Sequence, residues 1–168
     1  MPMRVIARLA LLLLAVGSAS ASGAGTVVAI GGALRDDNAA IWSRLVALAG
    51  GRGARYVVLG TASGDPERSA ARVVALLESQ GAAAASLPVA PKLPGVDVAQ
   101  AARDPELIAQ VNAANGVFFT GGAQERIVDA LQPGGQPTPL LQAIRGVLER
   151  GGVVAGTSAG AAVMSHVM

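Results

Sequence analysis

The sequence has 168 residues, a formal net charge of +2, one histidine and no cysteine. Its length predicts one domain with a sizeable core, and the lack of cysteine excludes disulfides, thiolate metal sites and a cysteine nucleophile. Aromatic residues make up 2% of the chain and no basic run occurs, so we expect no nucleic-acid partner. The lone histidine, His166, gives no metal-ligand spacing, so the sequence implies no metal and no other cofactor.

The chain begins with the features of a secretory signal peptide. Arg4 and Arg8 precede an apolar run at 9–16, and small residues follow. This pattern predicts a signal peptide over residues 1–21, export to the periplasm or the medium, and a mature domain over residues 22–168. The apolar run is too short to span a bilayer, so we expect no membrane partner after cleavage, and a permanent anchor is the weaker alternative. Removing the two arginines leaves equal numbers of basic and acidic residues, so the high isoelectric point does not indicate a partner.

The first half of the mature chain alternates strands with helices. Short β-branched runs at 26–30 and 56–59 predict buried strands, and 82–89 is expected to hold a third. Asn38 and Asp65 precede segments with apolar residues at helical spacing, so both predict helix N-caps. The glycines that end these segments separate one element from the next.

The second half continues this alternation after a loop at 88–95, which its prolines keep irregular. Helix starts are predicted at Asp104, Gln124 and Thr138, and strands over 117–120 and 153–155. Regular alternation of strand and helix predicts an α/β fold with a parallel sheet covered by helices on both faces. Ligands bind such sheets beyond the carboxyl ends of the strands, where the glycine-rich loops of this chain fall.

A G-x-S-x-G pattern runs from Gly156 to Gly160, directly after the predicted strand at 153–155 and before an alanine-rich helical segment. This order predicts a nucleophile elbow, in which the turn is too tight for side chains at its glycines and Ser158 stands at the carboxyl edge of the sheet. Ser158 is therefore the candidate catalytic nucleophile. The alternative is a glycine-rich turn in which Ser158 only caps a helix.

A serine nucleophile needs two donors for the oxyanion that forms on the attacked carbonyl, and backbone N–H groups are preorganised for this. The N–H of Ala159 is one candidate, and Gly121 or Gly122 can supply the other because glycine lets the backbone approach a substrate closely. Gln124 can orient a substrate amide or carboxylate. A plain strand-end turn and a solvated residue at a helix start remain the alternatives for the glycines and for Gln124.

Four stretches resemble the cyanophycinase family of serine peptidases, which includes aspartyl dipeptidase. They lie, in order, at 31–38, 59–63, 118–124 and 156–165, and the resemblance extends from about Thr26 to the last residue. It implies a three-layer sandwich with a mainly parallel sheet, like that of class I glutamine amidotransferases, with serine in place of their cysteine.

The resemblance also implies a function and site residues. The expected substrate is cyanophycin or another β-aspartyl peptide; cyanophycin has a poly-aspartate backbone with arginine on its side chains and is cleaved to β-aspartyl-arginine dipeptides. Ser158 matches the family nucleophile, Gly122 and Ala159 match the oxyanion positions, and Gln124 matches a glutamine that contacts the substrate. An exported member is expected to scavenge polymer outside the cytoplasm, and a homodimer is left open.

The chain departs from this family at its end. The family's histidine follows the elbow in a motif resembling Asp-Gln-His-Phe, and neither this motif nor its carboxylate partner occurs here. His166 follows Ser158 by eight residues, which places it roughly 12 Å away on one helix, too far for a hydrogen bond. We therefore expect an amino-terminal fragment, truncated at its C-terminus and catalytically inactive by itself, with apolar surface exposed.

Other functions remain open from the residues alone. An exported esterase of the α/β-hydrolase type also uses G-x-S-x-G. A non-catalytic binding module or pseudoenzyme can keep the carbonyl pocket without a base. A dinucleotide-binding domain is disfavoured, because Gly31-Gly32 does not continue as G-x-G-x-x-G.

Overall fold

A computed structural model of the chain describes residues 23–165. The predicted signal peptide and His166 lie outside these residues. The strands are β1 (Thr26–Ile30), β2 (Arg55–Leu59), β3 (Ala83–Leu87), β4 (Gly116–Phe119) and β5 (Val153–Thr157). The helices are α1 (Ala39–Leu48), α2 (Pro66–Ser79), α3 (Val98–Ala101), α4 (Pro105–Ala113), α5 (Gln124–Leu131), α6 (Pro139–Glu149) and α7 (Ala159–Ala162), with a 3₁₀ turn at Pro133–Gly135.

The five strands form one sheet in the order β1-β5-β4-β2-β3, and every neighbouring pair is parallel. The predicted α/β fold with a parallel sheet is therefore confirmed. Parallel pairing brings the carboxyl ends of all the strands to one edge. Ile30 at the end of β1 pairs with Thr157 at the end of β5, so the loops after these two strands are adjacent.

Helices cover the sheet on both faces and give the molecule three layers. On one face, α4, α5 and α6 pack against alternate residues of the central strands, including Val117, Phe119 and Val154. On the other face, α1 and α2 bury Trp42 and Leu77 with the opposite set of strand residues. Strand side chains alternate between faces, so both cores are continuous across the sheet.

The predicted N-caps explain where the helices begin. The side chains of Asn38, Asp65, Asp104 and Thr138 each accept a hydrogen bond from a backbone N–H in the first turn of α1, α2, α4 and α6. The third strand is shorter than the predicted range, because Pro88 follows Leu87 and has no N–H for the ladder. The short helix α3 was not predicted, since four residues show no helical periodicity.

Between residues 23 and 165, the longest helix is α2, and no helix has the length and apolar character needed to cross a membrane. In the same part of the chain, no cluster of histidine or acidic residues has an arrangement that could hold a metal ion.

Tyr56, the only tyrosine in the sequence, links β2 to α1 through a buried hydrogen bond from its hydroxyl to the Leu45 carbonyl, 2.7 Å long. Burial raises the pKa of Tyr56 above its usual value. The folded chain thus holds the phenolic proton at pH values where the unfolded chain loses it, so this contribution to stability is full below about pH 10 and decreases above it.

We therefore expect the melting temperature of the unaltered chain to fall more steeply between about pH 9.5 and pH 11.5 than that of Tyr56→Phe. At neutral pH the variant is expected to be less stable by about 1 kcal/mol, because the hydrogen bond to Leu45 is lost. Thermal unfolding across this pH range checks both expectations. If the melting temperature fell equally steeply with pH in the two proteins, ionisation of Tyr56 would not contribute to the pH dependence of stability.

Candidate active site

Ser158 occupies the turn between β5 and α7, at the carboxyl edge of the sheet. Its backbone has φ 54° and ψ −120°, a conformation that non-glycine residues rarely adopt, and its side chain is exposed. The Ser158 N–H donates to the Ile30 carbonyl oxygen at 3.1 Å, and the Thr157 hydroxyl donates to the Gly31 carbonyl oxygen at 2.8 Å. The end of β1 thus holds this turn in place.

The two glycines of the G-x-S-x-G pattern stand where other backbone passes closely. A methyl group on Gly156 would overlap the carbonyl group of Gly160, and one on Gly160 would overlap the carbonyl group of Phe119. The first turn of α7 therefore lies directly against the ends of β5 and β4. The short chain reversal at Ser158 depends on both glycines for steric reasons.

The glycine pair after β4 lies beside this turn. A methyl group on Gly121 would lie 3.1 Å from the Ser158 Cβ atom, whereas Gly122, with φ 145°, packs its Cα against the Ala62 carbonyl group. That carbonyl oxygen accepts hydrogen bonds from the Ala123 N–H and from Nη1 of Arg126, both 2.9 Å long. The loop after β4 is thereby fixed to the loop after β2.

Two other residues predicted for the site, Ala159 and Gln124, lie in different surroundings. Ala159 is buried as the first residue of α7, where a backbone N–H has no carbonyl partner within its own helix. Gln124 is exposed at the start of α5 and does not line the cleft that contains Ser158. The structure therefore brings Ser158, Ala159 and Gly121 together and leaves Gln124 at the side.

A cleft of about 480 Å³ opens beside Ser158. Thr120, Gly121 and Thr157 line it from the sheet edge, and four side chains of α1 and α2 line it from the opposite side. These four are Trp42, Ser69, Arg72 and Val73. Sequence reasoning missed them because their helices carry no motif. The one available signal was the helical spacing of Ser69, Arg72 and Val73, which places them along one side of α2.

The loop after β1 forms one edge of the cleft and takes part in two ion pairs. Arg72 donates to the Leu34 carbonyl oxygen at 3.1 Å and also pairs with Asp36. Arg35 pairs with Asp37 at 2.6 Å. Each arginine lowers the pKa of its aspartate partner through these side-chain hydrogen bonds. All four side chains are exposed, so the pairs add little stability and mainly orient the loop.

The chain is similar in sequence and in structure to known peptidases. The model of peptidase family S51 matches residues 27–168. The chain is 34% identical over 124 residues to the cyanophycinases of Trichormus variabilis and of Nostoc sp.. Each alignment covers 71% of this chain and 37% of the relative, so the chain spans less than half the length of these cyanophycinases.

A solved structure, that of a peptidase from an acI-B1 actinobacterium, superimposes with a TM-score of 0.63 at 26% identity. The match covers 83% of this chain and 55% of that one. These similarities define the class of protein that the chain resembles in sequence and fold. Within that class, the chain belongs to peptidase family S51.

Proposed function

We propose that Ser158 is the nucleophile of an exopeptidase that cleaves cyanophycin or a related β-aspartyl peptide to β-aspartyl-arginine dipeptides. The observation that carries this proposal is the exposed Ser158, held in a strained turn at the carboxyl edge of the sheet in a chain of family S51. Strain of this kind is characteristic of functional sites. The similarity to two cyanophycinases supports the choice of substrate.

In this proposal, the Ser158 hydroxyl attacks the carbonyl of an aspartyl residue, and the N–H groups of Ala159 and Gly122 stabilise the oxyanion. Gln124 contacts the substrate from outside the cleft. The close approach of Gly121 to Ser158 supports this assignment, since it places the start of the glycine pair beside the nucleophile. Export, which residues 1–21 predict, would place this reaction outside the cytoplasm.

Attack by a serine requires a general base. Residues 23–165 include no histidine, and no carboxylate from this part of the chain lines the cleft at Ser158. We place the base outside residues 23–165. His166, the one histidine of the sequence, lies outside the described residues, and the motif resembling Asp-Gln-His-Phe that carries the family's histidine does not occur in residues 1–168. The polypeptide of residues 1–168 by itself is therefore expected to be inactive.

Imidazole added to the solution tests this proposal, because it can act as a base where a protein base is missing. The 168-residue polypeptide alone is expected to release no dipeptide from cyanophycin. Imidazole is expected to raise release by about tenfold or more above the imidazole-only background. Ser158→Ala should abolish the increase, whereas Ser79→Ala, on an exposed serine at the end of α2, should retain it. Mass spectrometry of the released dipeptide gives the rates.

Two outcomes contradict the proposal in different ways. Release without imidazole, at the rate seen with it, would mean that a base is already present. Imidazole-dependent release that persists in Ser158→Ala, or no release under any condition, would mean that Ser158 is not the nucleophile. The family match favours this peptidase over an esterase.

A non-catalytic binding module is the second candidate, favoured by a formed cleft that no base from residues 23–165 lines. It predicts that the dipeptide binds the unaltered chain and Ser158→Ala equally, with no turnover in either protein when imidazole is present. Calorimetric titration with β-aspartyl-arginine, run beside the rescue assay, separates the two functions.

A further inference from the structure

Thr120 carries the one buried side-chain oxygen or nitrogen atom that has no hydrogen-bond partner within residues 23–165. The residue is 3% exposed. The other buried serine and threonine hydroxyls in this part of the chain are satisfied: Thr61 donates to the Val89 carbonyl, Thr138 donates to the Leu131 carbonyl at 2.9 Å, and Ser63 bonds Ser69 at 2.7 Å. The Thr120 hydroxyl therefore differs from every comparable group in the described chain.

Thr120 forms part of the wall of the cleft at Ser158. Thr120 directly follows β4, and its N–H donates to the Leu59 carbonyl oxygen at 3.1 Å, which fixes its backbone. Because strand side chains alternate, its side chain lies on the same face as Phe118, toward α1 and α2. On that face it lines the cleft together with Ser158.

Leaving a buried hydroxyl without a partner costs free energy, and valine would fill the same space without this cost. The native threonine is explained if a ligand in the cleft supplies the partner. The next residue, Gly121, packs against Ser158, so a group bound at Thr120 lies next to the carbonyl that Ser158 attacks. A substrate with a second polar group close to its scissile carbonyl fits both positions.

We propose that Thr120 is a substrate-positioning residue whose hydroxyl donates a hydrogen bond to the side-chain amide oxygen of the aspartyl residue under attack. This inference rests on the proposed function. In a β-linked aspartyl residue, the side-chain amide carbonyl is separated from the main-chain carbonyl by only two carbon atoms. A hydroxyl in the wall of the cleft that contains the nucleophile thus recognises an aspartyl side chain of this length and holds the scissile carbonyl at Ser158.

Calorimetric titration of β-aspartyl-arginine into the 168-residue chain and three variants tests the role of Thr120. Thr120→Val is expected to raise Kd by about tenfold, the effect of one lost hydrogen bond. Its melting temperature is expected to stay the same or rise, because a hydroxyl without a protein partner has been removed. Thr120→Ser keeps the hydroxyl and should retain a Kd near that of the unaltered chain.

Thr138→Val is the matched control, since that buried hydroxyl has a protein partner and lies away from the cleft. It is expected to lower the melting temperature and leave Kd unchanged. Equal Kd values for Thr120→Val and the unaltered chain, or a melting temperature of Thr120→Val that falls as in Thr138→Val, would overturn the inference alone. No binding to the unaltered chain would overturn both this inference and the proposed function.

Discussion

Replacing Ser158 with glycine is expected to abolish imidazole-dependent dipeptide release while making the chain more stable. Activity disappears because glycine has no nucleophile. Stability rises because the φ of 54° and ψ of −120° strain a serine, at a cost of about 1–3 kcal/mol, and do not strain glycine. The greater entropy of glycine in the unfolded chain offsets about 0.5–1 kcal/mol of this gain.

Ser158→Ala is the matched control, because it removes the hydroxyl and keeps the strained backbone of a residue with a Cβ atom. We expect no activity in either variant and a higher melting temperature for Ser158→Gly alone, by about 2–4 °C for a net gain near 1 kcal/mol. Thermal unfolding of the three proteins measures the difference. Equal melting temperatures for the glycine and alanine variants would show that the turn at Ser158 stores no strain.

Gly122→Ala is expected to cause a large loss of stability. A methyl group at this position would overlap the Ala62 carbonyl, and a φ of 145° is unfavourable for alanine. The combined strain and overpacking cost about 2–5 kcal/mol, a large part of the stability of a small domain. The displaced loop would also lose the hydrogen bonds that the Ala62 carbonyl accepts from Ala123 and Arg126.

Denaturant unfolding of Gly122→Ala beside Gly31→Ala checks this expectation. Gly31 lies in the loop after β1, near the same site, and a methyl group there would meet open space without a positive φ. We expect Gly31→Ala to change stability by less than about 0.5 kcal/mol. A Gly122→Ala protein as stable as Gly31→Ala would contradict the close packing of Gly122 on Ala62.

The fold was predictable because its signals are local in the sequence. Short apolar runs ending at glycine predicted the strands, and Asp65 and Asp104, each followed by proline, predicted where α2 and α4 begin. These residues act through neighbours within one turn of chain, so no tertiary information is required. The extent of the third strand and the presence of α3 depend on few residues and were predicted less well.

The sequence predicted one side of the candidate site. Gly156, Ser158 and Gly160 form a recognisable motif because a tight turn imposes fixed spacing. The roles of Ser158, Ala159, Gly122 and Gln124 remain predictions. The structure adds that Gly121 is the glycine packed against Ser158.

The opposite side of the cleft could not be predicted, because it comes from residues far away in the chain. Trp42 and Arg72 reach the cleft only when α1 and α2 pack on the sheet. Thr120 lies in the stretch 118–124 that resembles the family, but only the folded structure shows that its buried hydroxyl has no hydrogen-bond partner within residues 23–165. A pattern of residue types does not show whether a buried group finds a partner.

The most direct test of the proposed mechanism is to locate the acyl group that Ser158 should carry during turnover. The 168-residue chain is incubated with imidazole and a peptide of two β-aspartyl-arginine units, quenched in acid and digested with trypsin. We predict that the tryptic peptide beginning at Gly151, which contains Ser158, gains the mass of one β-aspartyl-arginine unit less water. An acyl group on another residue, or dipeptide release with no adduct on this peptide, would contradict Ser158 as the nucleophile.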